Sequence, residues 1–166
     1  MAKPLSVKAL AALRAVVYMT GFVLFWGWLA SNVRRFDPTL GISLPVWLRS
    51  VGIAAMVAGG ALGLSCAALF VVRGEGTPAP FDPPRQFVAV GPYRCVRNPM
   101  YVGGLTVLAG LGLYLGSVAA LLLTACVAAL VHGFVVLVEE RGLESRFGES
   151  YRQYRASVGR WLPRCW

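Results

Sequence analysis

The longest apolar stretch of the chain, MYVGGLTVLAGLGLYLGSVAALLLTACVAALVHGFVVLV from Met100 to Val138, decides the fold. A helix that crosses a bilayer needs about 20 mostly apolar residues. This stretch is therefore too long for one span and just long enough for two short ones. Gly116-Ser117 lies near its middle and is the natural place for a turn. The sequence predicts a tight helical hairpin, with arms of roughly Tyr101 to Leu115 and Val118 to Val138.

Composition and two further apolar runs indicate that the bilayer is the solvent of this chain. Of its 166 residues, 57% are hydrophobic and only 14% are charged, whereas a soluble domain carries roughly 25% charged residues. Ala11 to Ala30 and Val46 to Val72 are each long and apolar enough to span. We therefore expect an all-α, polytopic membrane protein with about four transmembrane helices. Residues 1–166 are predicted to form a single membrane domain, with the two N-terminal spans in residues 1–72.

The character of the sequence changes abruptly at Glu139, where EERGLESRFGESYRQYRASVGRWLPRCW is charged and aromatic. Its apolar residues recur at helical spacing: Leu143, Phe147, Tyr151, Tyr154 and Val158. This pattern predicts an amphipathic helix that lies on the membrane surface. The arginines of the tail are expected to face lipid headgroups, and Tyr151 and Tyr154 are expected to be interfacial anchors.

The distribution of positive charge predicts the orientation of the chain. With four spans, the N-terminus, the loop from Arg73 to Pro99 and the C-terminal tail share one side, which carries most of the Lys and Arg. The positive-inside bias makes that side cytoplasmic, in a cytoplasmic membrane or an endomembrane. A net charge of +9 is then explained by basic loops that face anionic lipid. Membrane lipids are therefore the expected partners, and nucleic acid is not.

Small residues recur every four positions in the second predicted span, at Ala55, Gly59, Gly63 and Ala67. They place a smooth stripe on one helix face, where another helix can approach closely. That helix could belong to the same chain, or to a second copy in a homo-oligomer.

The four cysteines, Cys66, Cys95, Cys126 and Cys165, are not paired at metal-ligand spacing. Two of them lie in apolar runs. We expect packing residues or free thiols, with neither a disulfide framework nor a metal site.

Two polar clusters lie at the two ends of the predicted hairpin, and the hairpin returns both ends to one surface. The first is Tyr93, Arg94, Arg97, Asn98 and Tyr101, and the second is Glu139, Glu140, Arg141, Glu144 and Arg146. An arginine can bind a carboxylate through bidentate hydrogen bonds, and a glutamate can bind an ammonium group or ribose hydroxyls. Together they suit a ligand such as S-adenosylmethionine. The alternative is that these residues anchor helices and form surface ion pairs of little energetic consequence.

His132, within the last predicted span, is the only histidine of the chain. Seven or eight residues make about two helical turns, so it shares a face with Glu139 and Glu140. Because an ionisable group within a span indicates function, His132 is a candidate catalytic residue, together with the two glutamates that could assist proton removal. The alternative for His132 is a neutral side chain that is hydrogen-bonded to a neighbouring helix.

GPYRCVRNPMYVGG (Gly91 to Gly104), an apolar hairpin and then EERGLESRFGESYRQY together resemble the isoprenylcysteine carboxyl methyltransferase family and the related phospholipid methyltransferases. The resemblance covers roughly Thr77 to Pro163. It implies a methyltransferase core in residues 73–166 that uses S-adenosylmethionine. The cofactor-binding residues that it implies are Tyr93, Arg94, Arg97, Asn98, Pro99, Tyr101, Glu139 and Glu140.

One departure from the family pattern is Asn98, which stands where the family usually has histidine. Asparagine can donate and accept hydrogen bonds but cannot take a proton near neutral pH. The expected acceptor is lipid-like or amphipathic, carries a carboxylate or an amine, and enters from the bilayer. An amine would have to lose a proton, which Glu139, Glu140 or His132 could assist.

Two other functions are compatible with the sequence. Membrane sterol reductases are related in C-terminal architecture but use a nicotinamide cofactor, and they are usually larger than this chain. A small interaction or transport protein without enzymatic activity could instead assemble through the small-residue stripe.

Overall fold

The computed structural model describes residues 7–74 and 89–165. Within them the chain forms six α-helices: α1 (Val7–Val33), α2 (Asp37–Leu40), α3 (Leu48–Leu69), α4 (Pro99–Leu115), α5 (Val118–Phe134) and α6 (Glu140–Ser157). Short 3₁₀ turns occupy Arg34–Phe36 and Gly91–Arg94, and π-helical segments occupy Phe70–Gly74 and Val135–Glu139. About half of the predicted loop from Arg73 to Pro99, residues 75–88, falls outside the described residues.

The predicted all-α, polytopic membrane fold is confirmed. Among the described residues, three helical stretches are long and apolar enough to cross a membrane: Ala12–Leu40, Leu48–Val72 and Val118–Ser157. The third predicted span, Tyr101 to Leu115, corresponds to α4, a shorter apolar helix of 17 residues. At 1.5 Å per residue it is about 25 Å long, a little less than the hydrocarbon thickness of a typical bilayer.

The helical hairpin forms at the predicted turn. α4 ends at Leu115, and Gly116 follows with a φ of 65°, the left-handed conformation that glycine adopts without steric cost. The Ser117 side chain then accepts a hydrogen bond from the Ala120 amide at 3.1 Å and caps the start of α5. A left-handed glycine followed by a serine cap explains why the chain reverses within two residues.

A second contact places the α1–α2 connection at the same end of the bundle as the hairpin turn. The Asp37 carboxylate of α2 accepts a hydrogen bond from the Ala119 amide at 2.9 Å. The carboxylate thus satisfies one of the unpaired amides at the start of α5 and complements its helix dipole. The Gly91–Arg94 turn, the start of α4 and the end of α5 consequently lie together at the opposite end.

The packing of α3 on α4 depends on glycines that let the two backbones touch. A Cβ atom added at Gly59 would lie 2.6 Å from the Gly103 carbonyl oxygen, and one added at Gly52 would lie 2.5 Å from that of Gly110. Gly59 and Ala67 of the predicted stripe are buried. The close helix approach therefore occurs within the chain, and a homo-oligomer through Ala55, Gly59, Gly63 and Ala67 stays a prediction.

The C-terminal helix is amphipathic, but its two tyrosines are not the interfacial anchors that we expected. Tyr151 and Tyr154 are 2% and 3% exposed and form a core with Val158. The reason is a break in α6 at Gly148, where φ is 54° and ψ is −124°. Because the helix changes direction there, its second half turns its aromatic face inward against Ala89, Leu143 and Phe147.

The expectation that all four cysteines are unpaired was wrong for two of them. Cys95 and Cys165 form a disulfide across a sequence separation of 70 residues. The tail returns alongside the loop before α4, where the Arg164 amide donates to the Cys95 carbonyl at 2.8 Å. Sequence spacing could not reveal this return. Cys66, which is buried, and Cys126, which is exposed, are free thiols.

Gly59→Ala should destabilise the protein by roughly 1–3 kcal/mol, the usual cost of forcing extra atoms into a packed interface. The melting temperature in detergent should fall by several degrees. Gly60→Ala is the matched control, because a Cβ atom there meets nothing within 4 Å. Equal melting temperatures for the two variants would contradict the close contact of α3 with α4.

The disulfide predicts a thiol count. Alkylation of the denatured protein with a maleimide, followed by intact mass measurement, should modify two cysteines without reductant and four after reduction, because Cys95 and Cys165 are joined. Cys165→Ser leaves Cys95 without a disulfide partner. Without reductant this variant should therefore carry three labels, on Cys66, Cys95 and Cys126. Four labels on the unreduced wild-type chain would show that the bond is absent.

Candidate functional site

The site is built where the C-terminal tail runs beside the loop that precedes α4. Val96 pairs with Gly159 as an isolated parallel bridge. The Arg97 amide donates to the Gly159 carbonyl at 2.8 Å, and the Asn98 side-chain amide donates to the Arg160 carbonyl at 3.2 Å. These contacts bring the C-terminal tail to the N-terminus of α4.

A carboxylate lies between two guanidinium groups at the centre of this region. Arg97 Nη1 donates to Glu140 Oε1 at 2.8 Å. Arg160 donates to the same carboxylate from Nε, 2.7 Å from Oε1, and from Nη2, 3.0 Å from Oε2. We call these three residues the Arg–Glu–Arg cluster. The side chains of Arg97 and Glu140 are only 10% and 8% exposed, so the pair is largely withdrawn from water.

The cluster has spare capacity for an anion. Two guanidinium groups bind the Glu140 carboxylate, and Arg97 is the more buried of the two, with 10% of its side chain exposed against 31% for Arg160. Arg97 Nε is also buried and lacks a hydrogen-bond partner within the part of the chain that the structure describes. A buried donor without a partner costs free energy, and the carboxylate of a ligand would satisfy that donor.

The second glutamate is held separately. The Tyr101 hydroxyl donates to Glu139 Oε2 at 2.9 Å, which ties the first turn of α4 to the end of the π-helical segment after α5. Glu139 is half-buried, whereas Glu140 is only 6% exposed. The two adjacent carboxylates therefore have different partners, one a neutral hydroxyl and the other a pair of cations.

The π-helical segment Val135–Glu139 is a feature that the sequence did not indicate. The Glu140 amide bonds to the Val135 carbonyl, five residues back, instead of the usual four. Such single turns widen a helix and change which residues face inward, and they are frequent at functional sites. Here the wider turn lies directly before Glu140, at the point where the helix leaves the hairpin.

Asn98 and Pro99 serve the start of α4. Asn98 is the residue before the helix, and Pro99 is its first residue and is buried. Proline suits this position because its missing amide hydrogen would have no partner there. The hydrogen bond from Asn98 to the tail needs no ionisation, so asparagine can hold the tail at any pH.

Tyr93 and Arg94 lie at the edge of the site. The Tyr93 ring is buried against Cys66 and Phe70, and burial raises the pKa of its hydroxyl. Its carbonyl accepts a hydrogen bond from the Tyr154 hydroxyl at 2.6 Å. Tyr93 therefore joins α3 to the C-terminal helix, while Arg94 is exposed. Their predicted contacts with a cofactor stay predictions.

The second predicted polar cluster divides between the site and the surface. Glu139 and Glu140 belong to the site, but Arg141 and Arg146 are exposed. Glu144 forms ion pairs with Arg152 and Arg155 of its own helix. The surface interpretation thus holds for the later members of that cluster and fails for its first two.

His132 lies in an apolar groove and not among the carboxylates. Its Nδ1 accepts a hydrogen bond from Trp161 Nε1 at 3.0 Å. The groove has a volume of about 500 Å³. Its lining consists of Ala55, Val102, Leu105, Thr106, Ala109, Thr124, Ala128, His132 and Trp161.

Sequence reasoning missed Arg160 and Trp161. The tail arginines were expected to face lipid, but Arg160 faces Glu140 instead. No local pattern distinguishes it from the other tail arginines, since its partner is 20 residues away. The signal that could have helped is the block GRWLP, because a glycine and a proline so close to an aromatic residue indicate a folded turn.

Comparison with known proteins identifies the family of this chain. The family model for phospholipid methyltransferases matches residues 47–150, from the start of α3 into α6. An uncharacterized protein of Haemophilus influenzae is 38% identical over 63 residues, which is 38% of this chain and 100% of that protein. No solved structure matches the chain. Because the family model covers well over half of the sequence, including Arg97, Glu139 and Glu140, the chain belongs to the phospholipid methyltransferase family.

Proposed function

We propose that this protein is an S-adenosylmethionine-dependent membrane methyltransferase that acts on a lipid-like or amphipathic acceptor. The observation that carries the proposal is the Arg–Glu–Arg cluster. It lies at the end of a membrane hairpin, its Arg97 and Glu140 side chains are largely buried, and it contains a buried donor on Arg97 without a partner among the described residues. Membership of the phospholipid methyltransferase family supports methyl transfer as the chemistry of this site.

The donor set of the site fits the cofactor. S-Adenosylmethionine carries a carboxylate, an amine, a sulfonium and a ribose, and its bound form supplies an electrophilic methyl group. Arg97 would bind the carboxylate through its free Nε–H. Glu139, held in place by Tyr101, would accept hydrogen bonds from the amine or the ribose. Asn98 and Pro99 would shape the loop around it, with Tyr93 and Arg94 at its edge.

The chain itself mainly has to orient the reactants and exclude water. Correct alignment of two reactants can supply roughly 7–11 kcal/mol in favourable cases. The groove between α3, α4 and α5 is lined almost entirely by apolar side chains, so an acceptor would enter it from the bilayer. A carboxylate acceptor needs no base. An amine has to lose a proton, and Glu139 is the better placed carboxylate because both oxygens of Glu140 are bound by arginine.

The proposed orientation has the N-terminus, the cofactor site and the C-terminus on the cytoplasmic side. The positive charge of these segments and the supply of a soluble cofactor support it. The disulfide between Cys95 and Cys165 argues the other way, since such bonds are rare in a reducing cytosol. Arg-specific proteolysis of sealed vesicles from either side would resolve the orientation.

A nicotinamide-dependent reductase and a non-enzymatic membrane protein are the competing functions. Incubation with deuterated S-adenosylmethionine, followed by mass spectrometry of membrane lipids and small molecules, should reveal a labelled product if the proposal is correct. Oxidation of added NADPH without methyl transfer would favour the reductase. A chain that binds neither cofactor would favour the interaction protein.

Arg97→Ala should weaken S-adenosylmethionine binding by about ten- to a hundredfold. The reason is the loss of a charge-assisted hydrogen bond, which contributes roughly 1.5–3 kcal/mol. Isothermal titration calorimetry on the purified protein in nanodiscs measures the effect. Arg160 remains on Glu140 in this variant, so the carboxylate is not left unpaired. Unchanged affinity would remove Arg97 from the site.

Two further variants sharpen that measurement. Arg97→Lys keeps a positive charge beside Glu140 but lacks the Nε–H donor, and it should also bind the cofactor at least tenfold more weakly. Arg152→Ala is the matched control, since this arginine of α6 pairs with Glu149 on the exposed surface. This variant should bind S-adenosylmethionine as tightly as the wild type. An equal loss of affinity would mean that the net charge of the protein, and not the site, controls cofactor binding.

A further inference from the structure

The hydrogen bond between Trp161 and His132 determines where the histidine proton lies. An indole nitrogen can only donate, so the Nδ1 atom that faces it at 3.0 Å must be unprotonated. In a neutral imidazole the proton then resides on Nε2. While this hydrogen bond is made, a neutral His132 is a hydrogen-bond donor at Nε2.

The groove offers an amphipathic ligand few other polar contacts. Besides His132 and Trp161, the polar side chains in its lining are Thr106 and Thr124. Their hydroxyls donate to the carbonyls one turn earlier, at 2.7 Å to Val102 and 2.9 Å to Ala120. Among the described lining residues, the Nε2–H of His132 is therefore the side-chain donor that is left for a ligand.

The tail connects this groove to the Arg–Glu–Arg cluster. Trp161 directly follows Arg160, whose guanidinium binds Glu140. Beyond it, Arg164 donates to the Ser157 carbonyl at 2.9 Å, and Cys165 is joined to Cys95. Since the tail is fixed on both sides of Trp161, the indole is held in place between the proposed cofactor site and the groove.

We propose that Trp161 is a positioning residue that holds His132 in the Nε2–H tautomer, and that His132 donates a hydrogen bond to an oxygen of the acceptor in the groove. The acceptor class is an amphipath with a hydrogen-bond-accepting oxygen, such as an ester, a carboxylate or a phosphate, next to its apolar chain. This inference rests on the proposed function. It also changes the predicted role of His132, which becomes a donor to the acceptor and leaves proton removal to the carboxylates.

The tautomer can be observed directly because His132 is the only histidine in the sequence. The full chain, purified with a tag that contains no histidine and labelled with [¹⁵N]histidine, should give the two nitrogen signals of a single imidazole. We expect a protonated Nε2 and an unprotonated, hydrogen-bonded Nδ1. Trp161→Phe keeps an aromatic ring but removes the donor, so the Nδ1 signal should shift. A protonated Nδ1 in the wild type, or an unchanged spectrum in the variant, would overturn the inference.

Kinetics separate positioning from base catalysis. With vesicles of phospholipid extracted from the expressing cells, Trp161→Phe and His132→Phe should each raise the apparent KM for lipid roughly fivefold, the effect of one neutral hydrogen bond. Their affinity for S-adenosylmethionine should stay within twofold of the wild type. Leu162→Ala, at a residue that is 79% exposed, is the control from the same tail and should change neither quantity.

The outcomes distinguish this inference from the proposed function. A fall in kcat of a hundredfold or more with His132→Phe would identify a general base and overturn the donor role, while methyl transfer itself would stand. Absence of any methyl transfer by the wild-type chain would overturn the proposed function and, with it, the acceptor role of His132. The NMR experiment would still decide the tautomer in that case.

Discussion

The structure depends on one carboxylate that three distant parts of the chain enclose. Glu140 follows the hairpin, Arg97 precedes it, and Arg160 belongs to the tail. Removal of charged groups from water is expensive, and a buried ion pair repays that cost only when its hydrogen bonds are well made. The three residues achieve this through three hydrogen bonds to two oxygens, so the loop, the hairpin and the tail must be in register together. Removal of one partner from such a buried pair is strongly destabilising, because it leaves a buried charge uncompensated.

The rest of the fold brings these three residues to one place. Glycine contacts between α3 and α4 let two helices touch at backbone distance, and Gly116 reverses the chain so that α5 ends where α4 begins. The π-helical turn then widens the helix directly before Glu140. Gly148 redirects α6, which buries Tyr151 and Tyr154 and returns the tail across the site. All of these features belong to the backbone. Together they determine where the charged side chains lie.

The sequence predicted the parts of this arrangement that local chemistry determines. The hairpin followed from the length of the apolar run and from Gly116-Ser117, and the proximity of Arg97 to Glu140 followed from the hairpin. Arg160, Trp161 and the disulfide did not follow, because the return of the tail depends on a change of helix direction at Gly148 and on tertiary packing of the tyrosines. The π-helical turn could not be predicted either, since its sequence, VVLVE, is equally compatible with a regular α-helix. The fold was therefore more predictable than the site, whose last component comes from the end of the chain.

The central claim is that the Arg–Glu–Arg cluster forms one wall of an S-adenosylmethionine site. The most direct test is an experimental structure of the protein in a lipid nanodisc with S-adenosylhomocysteine, the demethylated product, which retains the carboxylate, the amine and the ribose. The account predicts its carboxylate about 3 Å from Arg97 Nε, with its amine or ribose next to Glu139. A ligand bound elsewhere, with the surroundings of Arg97 and Glu140 unchanged, would contradict it.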